Sequence, residues 1–135
     1  MKSKRINWSE INSVNIKEID AQHKGLVDII NELYDVDESD INIVDITIKK
    51  LIDYANNHLK YEEILFDKYN YPEKDEHKKM HNQYKEKINF FIKEYESGNK
   101  KILIEIKKFL VNWWLHHINN IDIKYSDFLN INGVY

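Results

Sequence analysis

The stretch that decides the fold of this chain runs from residue 58 to residue 81 and reads HLKYEEILFDKYNYPEKDEHKKMH. In it, His58 precedes Glu62 by four residues, and His77 precedes His81 by four. Residues i and i+4 lie one above the other on a single face of an α-helix. The stretch therefore predicts two helices, each presenting a pair of potential metal ligands, joined by a turn at residues 70–72 (Asn-Tyr-Pro).

Composition favours a single all-α domain around this stretch. The chain has 135 residues with 42% hydrophobic content, which suits one core and is short for two. Three glycines and one proline leave few turn positions, so long helices with short connections fit better than many strands. We therefore predict one domain over residues 1–135.

Apolar residues recur at helical spacing in four segments, which predict four helices. They are Ile19, Leu26, Val27, Ile30 and Leu33 in the first segment; Ile48, Leu51, Ile52, Ala55, Leu59, Leu65 and Phe66 in the second; Met80, Tyr84, Ile88, Phe91, Ile92 and Tyr95 in the third; and Ile102, Ile106, Phe109, Leu110, Trp113, Trp114 and Ile121 in the fourth. Short connections make sequential helices antiparallel neighbours, so residues 18–135 are predicted to form an up-down-up-down four-helix bundle. We expect Pro72 in the first turn of the third helix, and we expect the fourth to fray only after Phe128.

Residues 1–17 lack this periodicity and are predicted to form an N-terminal arm over the bundle. The arm would pack Ile6, Trp8, Ile11 and Val14 against the helices and bury Trp8. Asn15 suits a left-handed turn in this arm, because asparagine tolerates that conformation better than most residues.

Charge and hydropathy exclude several classes of protein. The 20 basic and 23 acidic residues are mixed along the chain and give a net charge of −3, so no basic footprint for nucleic acid is present. No apolar run approaches the roughly 20 residues of a membrane span, and none follows the charged N-terminus as in a signal peptide. With no cysteine, thiolate metal sites and disulfides are excluded. These features predict a cytoplasmic protein that binds neither nucleic acid nor membrane.

Five of the six histidines lie on the apolar stripes, with at least one on each predicted helix. A single histidine on an apolar face is more often a satisfied core residue than a ligand. Burying five imidazoles and a glutamate without partners, however, would cost roughly several kcal/mol per group, and a bound metal removes that cost. The pattern therefore predicts a metal centre formed by His23, His58, Glu62, His77, His81 and His117.

The size and chemistry of this donor set indicate the kind of metal. A structural zinc needs only four ligands, whereas calcium and magnesium prefer oxygen donors. Two first-row ions bridged by carboxylates use the set better. A second carboxylate should come from the fourth helix, where Asp122 is the candidate, although i+5 spacing from His117 places it about 140° around a regular helix. A local bulge or side-chain reach would be needed to bring Asp122 to the site.

In this order and spacing, the residues resemble the hemerythrin family, especially its bacterial single-domain form. The resemblance covers nearly the whole chain. It rests on Trp8, Val14, Ile19-Asp20-Ala21-Gln22-His23, His58-Leu59-Lys60-Tyr61-Glu62-Glu63, Tyr71-Pro72, His77-Lys78-Lys79-Met80-His81, Trp113-Trp114-Leu115-His116-His117-Ile118, Asp122 and Tyr125.

The resemblance implies two non-haem iron ions, one bound by three histidines and the other by two. Two carboxylates and an oxo or hydroxo group would bridge the ions. The three histidines are His77, His81 and His117, the two are His23 and His58, and the bridging carboxylates are Glu62 and Asp122. Two octahedral ions with these ligands keep one open position, on the two-histidine iron, where O₂ would bind.

This ligand set implies reversible O₂ binding for storage, delivery or scavenging, rather than enzymatic turnover. Two other functions stay open: an O₂ or redox sensor acting through a separate signalling partner, and a di-iron enzyme that reduces O₂, peroxide or nitric oxide with a reductase. A ferritin-like oxidase fits less well, because its Glu-x-x-His pairs do not occur here. A bundle that only mediates contacts, with adventitious metal, is the remaining alternative. We expect a monomer or weak oligomer.

One departure from the family pattern concerns the implied O₂ pocket, which Trp114 and Ile118 would line. The family usually has leucine three residues before its last histidine, where this chain has Trp114. Our hypothesis is that the indole narrows the pocket and alters O₂ access or autoxidation; ordinary packing is the alternative. His116 lies about 100° around the helix from His117 and is expected at the surface or behind the ligands.

Overall fold

The computed structural model describes residues 6–37 and 40–135, apart from the side chain of Ile41. Its regular structure within those residues is helical and forms the four-helix bundle expected from the sequence. Four rods run through it: α1 (Lys17–Tyr34); α2 (Ile41–Tyr54) continued by a π-helical segment (Ala55–Leu59) and α3 (Lys60–Tyr69); α4 (Lys74–Glu96); and α5 (Ile102–Asn112) continued by a second π-helical segment (Trp113–Ile118). Two short 3₁₀ helices (Glu10–Asn12 and Asp122–Tyr125) and α6 (Ser126–Ile131) complete the described chain.

The apolar stripes of the four rods meet in one continuous core. Leu26, Leu51, Ile106 and Leu110 have no exposed surface, and burial of each such side chain contributes roughly 1.5–3 kcal/mol. Ile52, expected on the second stripe, is instead 37% exposed and lies at its edge. No described helix is long and apolar enough to cross a membrane.

The turn between α3 and α4 is built by the sequence Asn70-Tyr71-Pro72. Asn70 adopts a left-handed conformation (φ 55°), and the Tyr71 N–H donates to the Phe66 carbonyl at 2.9 Å. This bond, with the 5.0 Å contact between the Phe66 and Tyr71 rings, forms a Schellman cap that ends the helix. Pro72 lies in the turn ahead of Lys74, where α4 begins, and not in the first helical turn as expected.

The N-terminal arm lies over the end of the bundle that carries α6. Val14 and Ile16 are buried there against Phe66, Tyr125 and Leu129. Asn15 has the expected left-handed backbone (φ 58°), which directs the flanking residues inward.

Nearer its start, the arm is fastened by side-chain hydrogen bonds. The Ile6 N–H donates to Asn31 Oδ1, and Asn31 Nδ2 returns a bond to the Ile6 carbonyl, both at 2.9 Å. Trp8 is half-buried. The expectation that Ile11 packs inward is wrong: it is 84% exposed, because it belongs to the short 3₁₀ turn. Residues 1–5 of the predicted arm lie outside the described residues.

The fourth rod ends earlier than the apolar pattern predicts. Asn119 donates from both its backbone N–H and its side-chain amide to the Trp114 carbonyl, at 3.2 and 2.7 Å. The Asn120 side chain likewise donates to the Leu115 carbonyl at 3.0 Å. These carbonyls would accept backbone N–H groups if the helix continued. Because the asparagine side chains donate to them instead, the helix ends here. The chain then turns into the 3₁₀ helix that carries Asp122.

Candidate metal centre

All seven predicted ligand side chains meet inside the bundle, and each is at most 5% exposed. They come from every rod and from the 3₁₀ helix that follows the last one. His23 lies on α1, His58 on the first π-helical segment, Glu62 on α3, His77 and His81 on α4, His117 on the second π-helical segment, and Asp122 at the start of the 3₁₀ helix.

A π-helical turn allows His117 and Asp122 to reach the same site although they are five residues apart. The Asn119 N–H bonds the Trp114 carbonyl, five residues earlier, instead of the carbonyl four residues earlier. This wider turn, followed by the break at residues 119–121, brings Asp122 to the same site as His117. The bulge that the spacing required is therefore present. The first π-helical segment, which carries His58, was not foreseen, because the i+4 spacing of His58 and Glu62 suits a regular helix.

The ligand atoms form two adjoining groups that share Asp122. In the three-histidine group, His77, His81, His117 and Asp122 each offer an atom within 4.8 Å of the others. In the two-histidine group, His23, His58, Glu62 and Asp122 do the same.

Asp122 faces each group with a different oxygen. Its Oδ1 lies 2.9 Å from His77 Nε2 and 3.0 Å from His117 Nε2, whereas its Oδ2 lies 3.1 Å from His23 Nε2. A carboxylate that presents one oxygen to each of two histidine groups has the arrangement of a bridging ligand.

Glu62 lies on the other side of the same space. Its Oε1 is 3.1 Å from His81 Nε2 and 3.5 Å from His58 Nε2, so this oxygen faces both groups. Its Oε2 accepts a short hydrogen bond from the Tyr125 hydroxyl. Tyr125 is fully buried and fixes the orientation of the carboxylate.

The buried polar atoms at the centre of the site lack hydrogen bonds of proper geometry within the described residues. They are the Nε2 atoms of His58, His77, His81 and His117, Glu62 Oε1 and Asp122 Oδ1. Leaving a buried polar atom unsatisfied costs about 1–3 kcal/mol. Inward-facing imidazole nitrogens and carboxylate oxygens are the donors that first-row transition metals prefer, so the residues present fit a metal centre.

Two of the histidines are held from behind by side chains to which the sequence assigned no role. His58 Nδ1 lies 2.5 Å from Gln22 Oε1, and His81 Nδ1 lies 2.8 Å from Glu63 Oε2. Because both partners present an oxygen acceptor, Nδ1 donates to it, and the Nε2 of the neutral imidazole can then present its lone pair inward. Such supporting acceptors fix the tautomer and raise the basicity of a ligating imidazole. The only signal in the sequence is that Gln22 and Glu63 each adjoin a predicted ligand.

The electrostatics of the site keep both carboxylates ionised. Burial alone would raise the pKa of Asp122, but His117, His23 and His77 hold it well below its usual range. Burial lowers the pKa of His58 to about 4, which leaves this imidazole neutral and able to bind a metal. For His77 burial acts in the same direction, yet the nearby carboxylates of Asp122 and Glu62 outweigh it and raise the pKa to about 9. Metal uptake at neutral pH would therefore displace a proton from His77.

The neighbouring residues Trp113 and Trp114 on the fourth rod have different packing partners. Trp113 stacks on the His117 imidazole, with ring centroids 3.9 Å apart and planes at 12°. Trp114 is 4% exposed and packs against Trp8 of the arm, with ring centroids 6.0 Å apart. Ile118 is fully buried, and His116 is at the surface as expected. The role of Trp114 and Ile118 in an O₂ pocket stays a prediction.

Comparison with known proteins finds relatives over nearly the whole chain. Residues 14–129 match the family model described as the hemerythrin HHE cation binding domain. The chain is 31% identical over 128 residues to a bacteriohemerythrin of Clostridium acetobutylicum, covering 89% of this chain and 98% of the relative. It is 30% identical over 121 residues to a bacteriohemerythrin of Pseudomonas aeruginosa (89% and 78%) and 30% identical over 123 residues to a hemerythrin-like protein of Naegleria gruberi (91% and 92%). The range matched by the family model contains all seven residues of the site.

Proposed function

This chain belongs to the hemerythrin family, and we propose that its buried site binds two iron ions and, through them, binds O₂ reversibly. The observation that carries the proposal is Asp122, which turns one oxygen toward His77 and His117 and the other toward His23. One ion could be chelated by both oxygens of a carboxylate, but here the two oxygens face different histidines. Two histidine groups joined by one carboxylate therefore support a two-metal site.

The composition of the ligand set favours O₂ binding over onward oxidation chemistry. Two ferrous ions, when bound, would supply the electrons that O₂ takes up. The ligand set contains only two carboxylates, Glu62 and Asp122. Its negative charge therefore stabilises high-valent metal less than the charge of a four-carboxylate site would. Because fewer histidines lie on the side of His23 and His58, a metal ion held there would be the one with room for O₂.

The surrounding residues hold this donor set rigid and dry. Gln22 and Glu63 fix the imidazoles of His58 and His81, and Tyr125 fixes Glu62. Each of the seven donor side chains is nearly or fully buried, so bulk water reaches the bound gas poorly. Water exclusion favours release of O₂ unchanged, because charged reduced products leave a dry site less readily.

Anaerobic reconstitution with ferrous iron tests this function directly. We expect two iron ions per chain, and an absorption band in the visible region that appears with O₂ and disappears on deoxygenation over repeated cycles. Irreversible oxidation without such a band would contradict reversible binding and support a redox sensor or a di-iron enzyme. Failure to bind iron at a two-to-one ratio would contradict the whole proposal.

The effect of Trp114 on O₂ access can be measured in the same system. Replacing Trp114 with leucine removes a buried indole and opens space beside the last helix. We expect the O₂ association rate and the autoxidation rate to rise by about threefold or more, since a wider path admits both O₂ and water. Stopped-flow mixing and the decay of the oxygenated spectrum measure the two rates.

A matched control for this variant is Leu115→Ala, because Leu115 is the next residue and is 49% exposed. The control should leave both rates unchanged. If Trp114→Leu also leaves them unchanged, Trp114 is ordinary packing against the arm.

A further inference from the structure

A groove of about 300 Å³ lies on the protein surface between α1 and α2, outside the metal centre. Ile46 of α2 is 51% exposed on its wall. The floor and walls are apolar and are formed by Ile29, Leu33, Val36, Ile43 and Ile46. Exposed apolar side chains that adjoin one another in this way mark a contact surface more often than chance exposure does.

The groove has the shape of a helix-binding site. On α2 its lining runs from Ile43 to Lys50, which are seven residues apart. Seven residues of a helix span about 10 Å, or two turns. A third helix packs against two neighbouring helices by placing a ridge of its side chains in the groove between them. Amphipathic helices bind grooves in this way through apolar side chains spaced i, i+3, i+4 and i+7.

The acidic residues of the chain are concentrated in the segment that forms this groove. Between Lys24 and Lys49 the sequence has seven acidic residues and no lysine, arginine or histidine. Because the whole chain has a net charge of only −3, the remainder is net positive. Glu32 and Asp35 line the groove, and Asp28 lies exposed one turn before Glu32. The groove is therefore apolar at its floor and negative along its edges; we call it the acidic groove.

One lysine lies at the end of the acidic groove. Lys50 Nζ is 2.6 Å from Glu32 Oε2, and the two side chains are 42% and 59% exposed. Ion pairs with this much exposure contribute little to stability. A basic side chain from another protein can therefore replace Lys50 beside Glu32 at little cost.

The acidic groove adjoins the wall behind the two-histidine group of the metal centre. Ile29 and Lys50 also line a neighbouring cleft of about 250 Å³, which contains Gln22 and His58. Gln22 is the side chain that holds His58 from behind, with Oε1 2.5 Å from Nδ1. A protein seated in the groove therefore lies next to the part of the bundle that positions this ligand.

We propose that the acidic groove is a docking surface for a basic amphipathic helix of a partner protein. Apolar side chains of that helix cover the apolar floor, and its lysines or arginines face Asp28, Glu32 and Asp35. Such charge complementarity speeds association and excludes acidic partners. The docking surface does not depend on the proposed function, because none of its side chains belongs to the metal-binding set.

A synthetic peptide of about 15 residues, long enough to form a helix, is the probe for this surface. Its leucines follow the i, i+3, i+4, i+7 spacing and its other positions are lysine. Fluorescence anisotropy with the protein as purified should show saturable one-to-one binding that weakens as salt is added. A second peptide with the same leucines, but with glutamate in place of each lysine, should bind at least about tenfold more weakly. Equal binding of the two peptides would overturn the proposal.

Exposed isoleucines of α2 supply a variant and its matched control. Ile46→Ser should weaken binding of the lysine peptide by about fivefold, because it removes part of the apolar contact. Ile52→Ser should leave the affinity unchanged. Ile52 lies on the same helix and is 37% exposed, but it lines a different groove of about 240 Å³, which Lys85 flanks. An unchanged affinity in Ile46→Ser, or an equal loss in both variants, would place the peptide elsewhere and reject the acidic groove.

The contribution of charge is tested by replacing Asp28 and Asp35 together with asparagine. The double variant should bind the lysine peptide more weakly, with a smaller dependence on salt, because two negative charges beside the groove are gone. Unchanged affinity and salt dependence would reject the role of charge. Sedimentation of the protein alone tests a different occupant. A dimer that Ile46→Ser dissociates would assign the groove to a second copy of this chain and overturn the proposal.

Discussion

Replacing Asp122 with alanine is expected to reduce the iron content of the reconstituted protein from two ions per chain to one or fewer. Asp122 is the only residue that belongs to both groups of potential ligands in the described structure. Its removal takes one oxygen away from His77 and His117 and the other from His23. Because each group loses a donor and the link between them, both metal positions should weaken together.

Iron and protein assays after gel filtration measure this effect. Asp122→Asn serves as the conservative variant: it keeps the shape but removes the charge, and we expect an intermediate loss. Asp127→Ala is the matched control, because Asp127 is exposed and lies only five residues further along. Full iron content in Asp122→Ala would contradict the bridging role.

Removing the metal from the wild-type protein should lower its melting temperature by about 10 °C or more. Several inward-facing donor atoms are buried without hydrogen bonds, and each costs about 1–3 kcal/mol when nothing binds it. A metal that binds only the folded state adds its binding free energy to stability. For a domain of this size, about 1 kcal/mol corresponds to roughly 3–5 °C.

Thermal unfolding followed by circular dichroism, with and without a chelator, measures the difference. The Asp122→Ala variant provides the comparison, since a protein that has lost its metal should respond little to chelation. Equal melting temperatures for loaded and metal-free wild-type protein would mean that the buried donors are satisfied in some other way.

The sequence predicted the bundle and six of the site residues because both follow from helical periodicity. His23, His58, His77 and His117 each replace an apolar residue on a stripe, and the buried positions of these stripes are set by spacing alone. The histidines and Glu62 could therefore be placed in the interior before any contact was known.

Helical periodicity alone could not predict that Asp122 belongs to the site. Its spacing from His117 conflicts with a regular helix, and only the family resemblance chose it. The conflict is resolved by a π-helical turn, in which hydrogen bonds join residues five apart. The pattern of apolar residues in the sequence does not indicate such a turn. The early end of the fourth rod was missed for a related reason: Asn119 and Asn120 end it through side-chain bonds to specific carbonyls.

The residues that support the ligands could not be found from local spacing. Gln22 lies 36 residues from His58, and Tyr125 lies 63 residues from Glu62. These contacts join different parts of the bundle, so they depend on how the rods are rotated against one another.

The central claim is that Asp122 joins two metal positions, and anomalous X-ray scattering at the iron edge tests it most directly. Crystals of the iron-loaded protein should show two anomalous peaks inside the bundle. One peak should contact His77, His81 and His117, the other should contact His23 and His58, and Asp122 should contribute one oxygen to each. A single peak, or two peaks of which only one contacts Asp122, would contradict it.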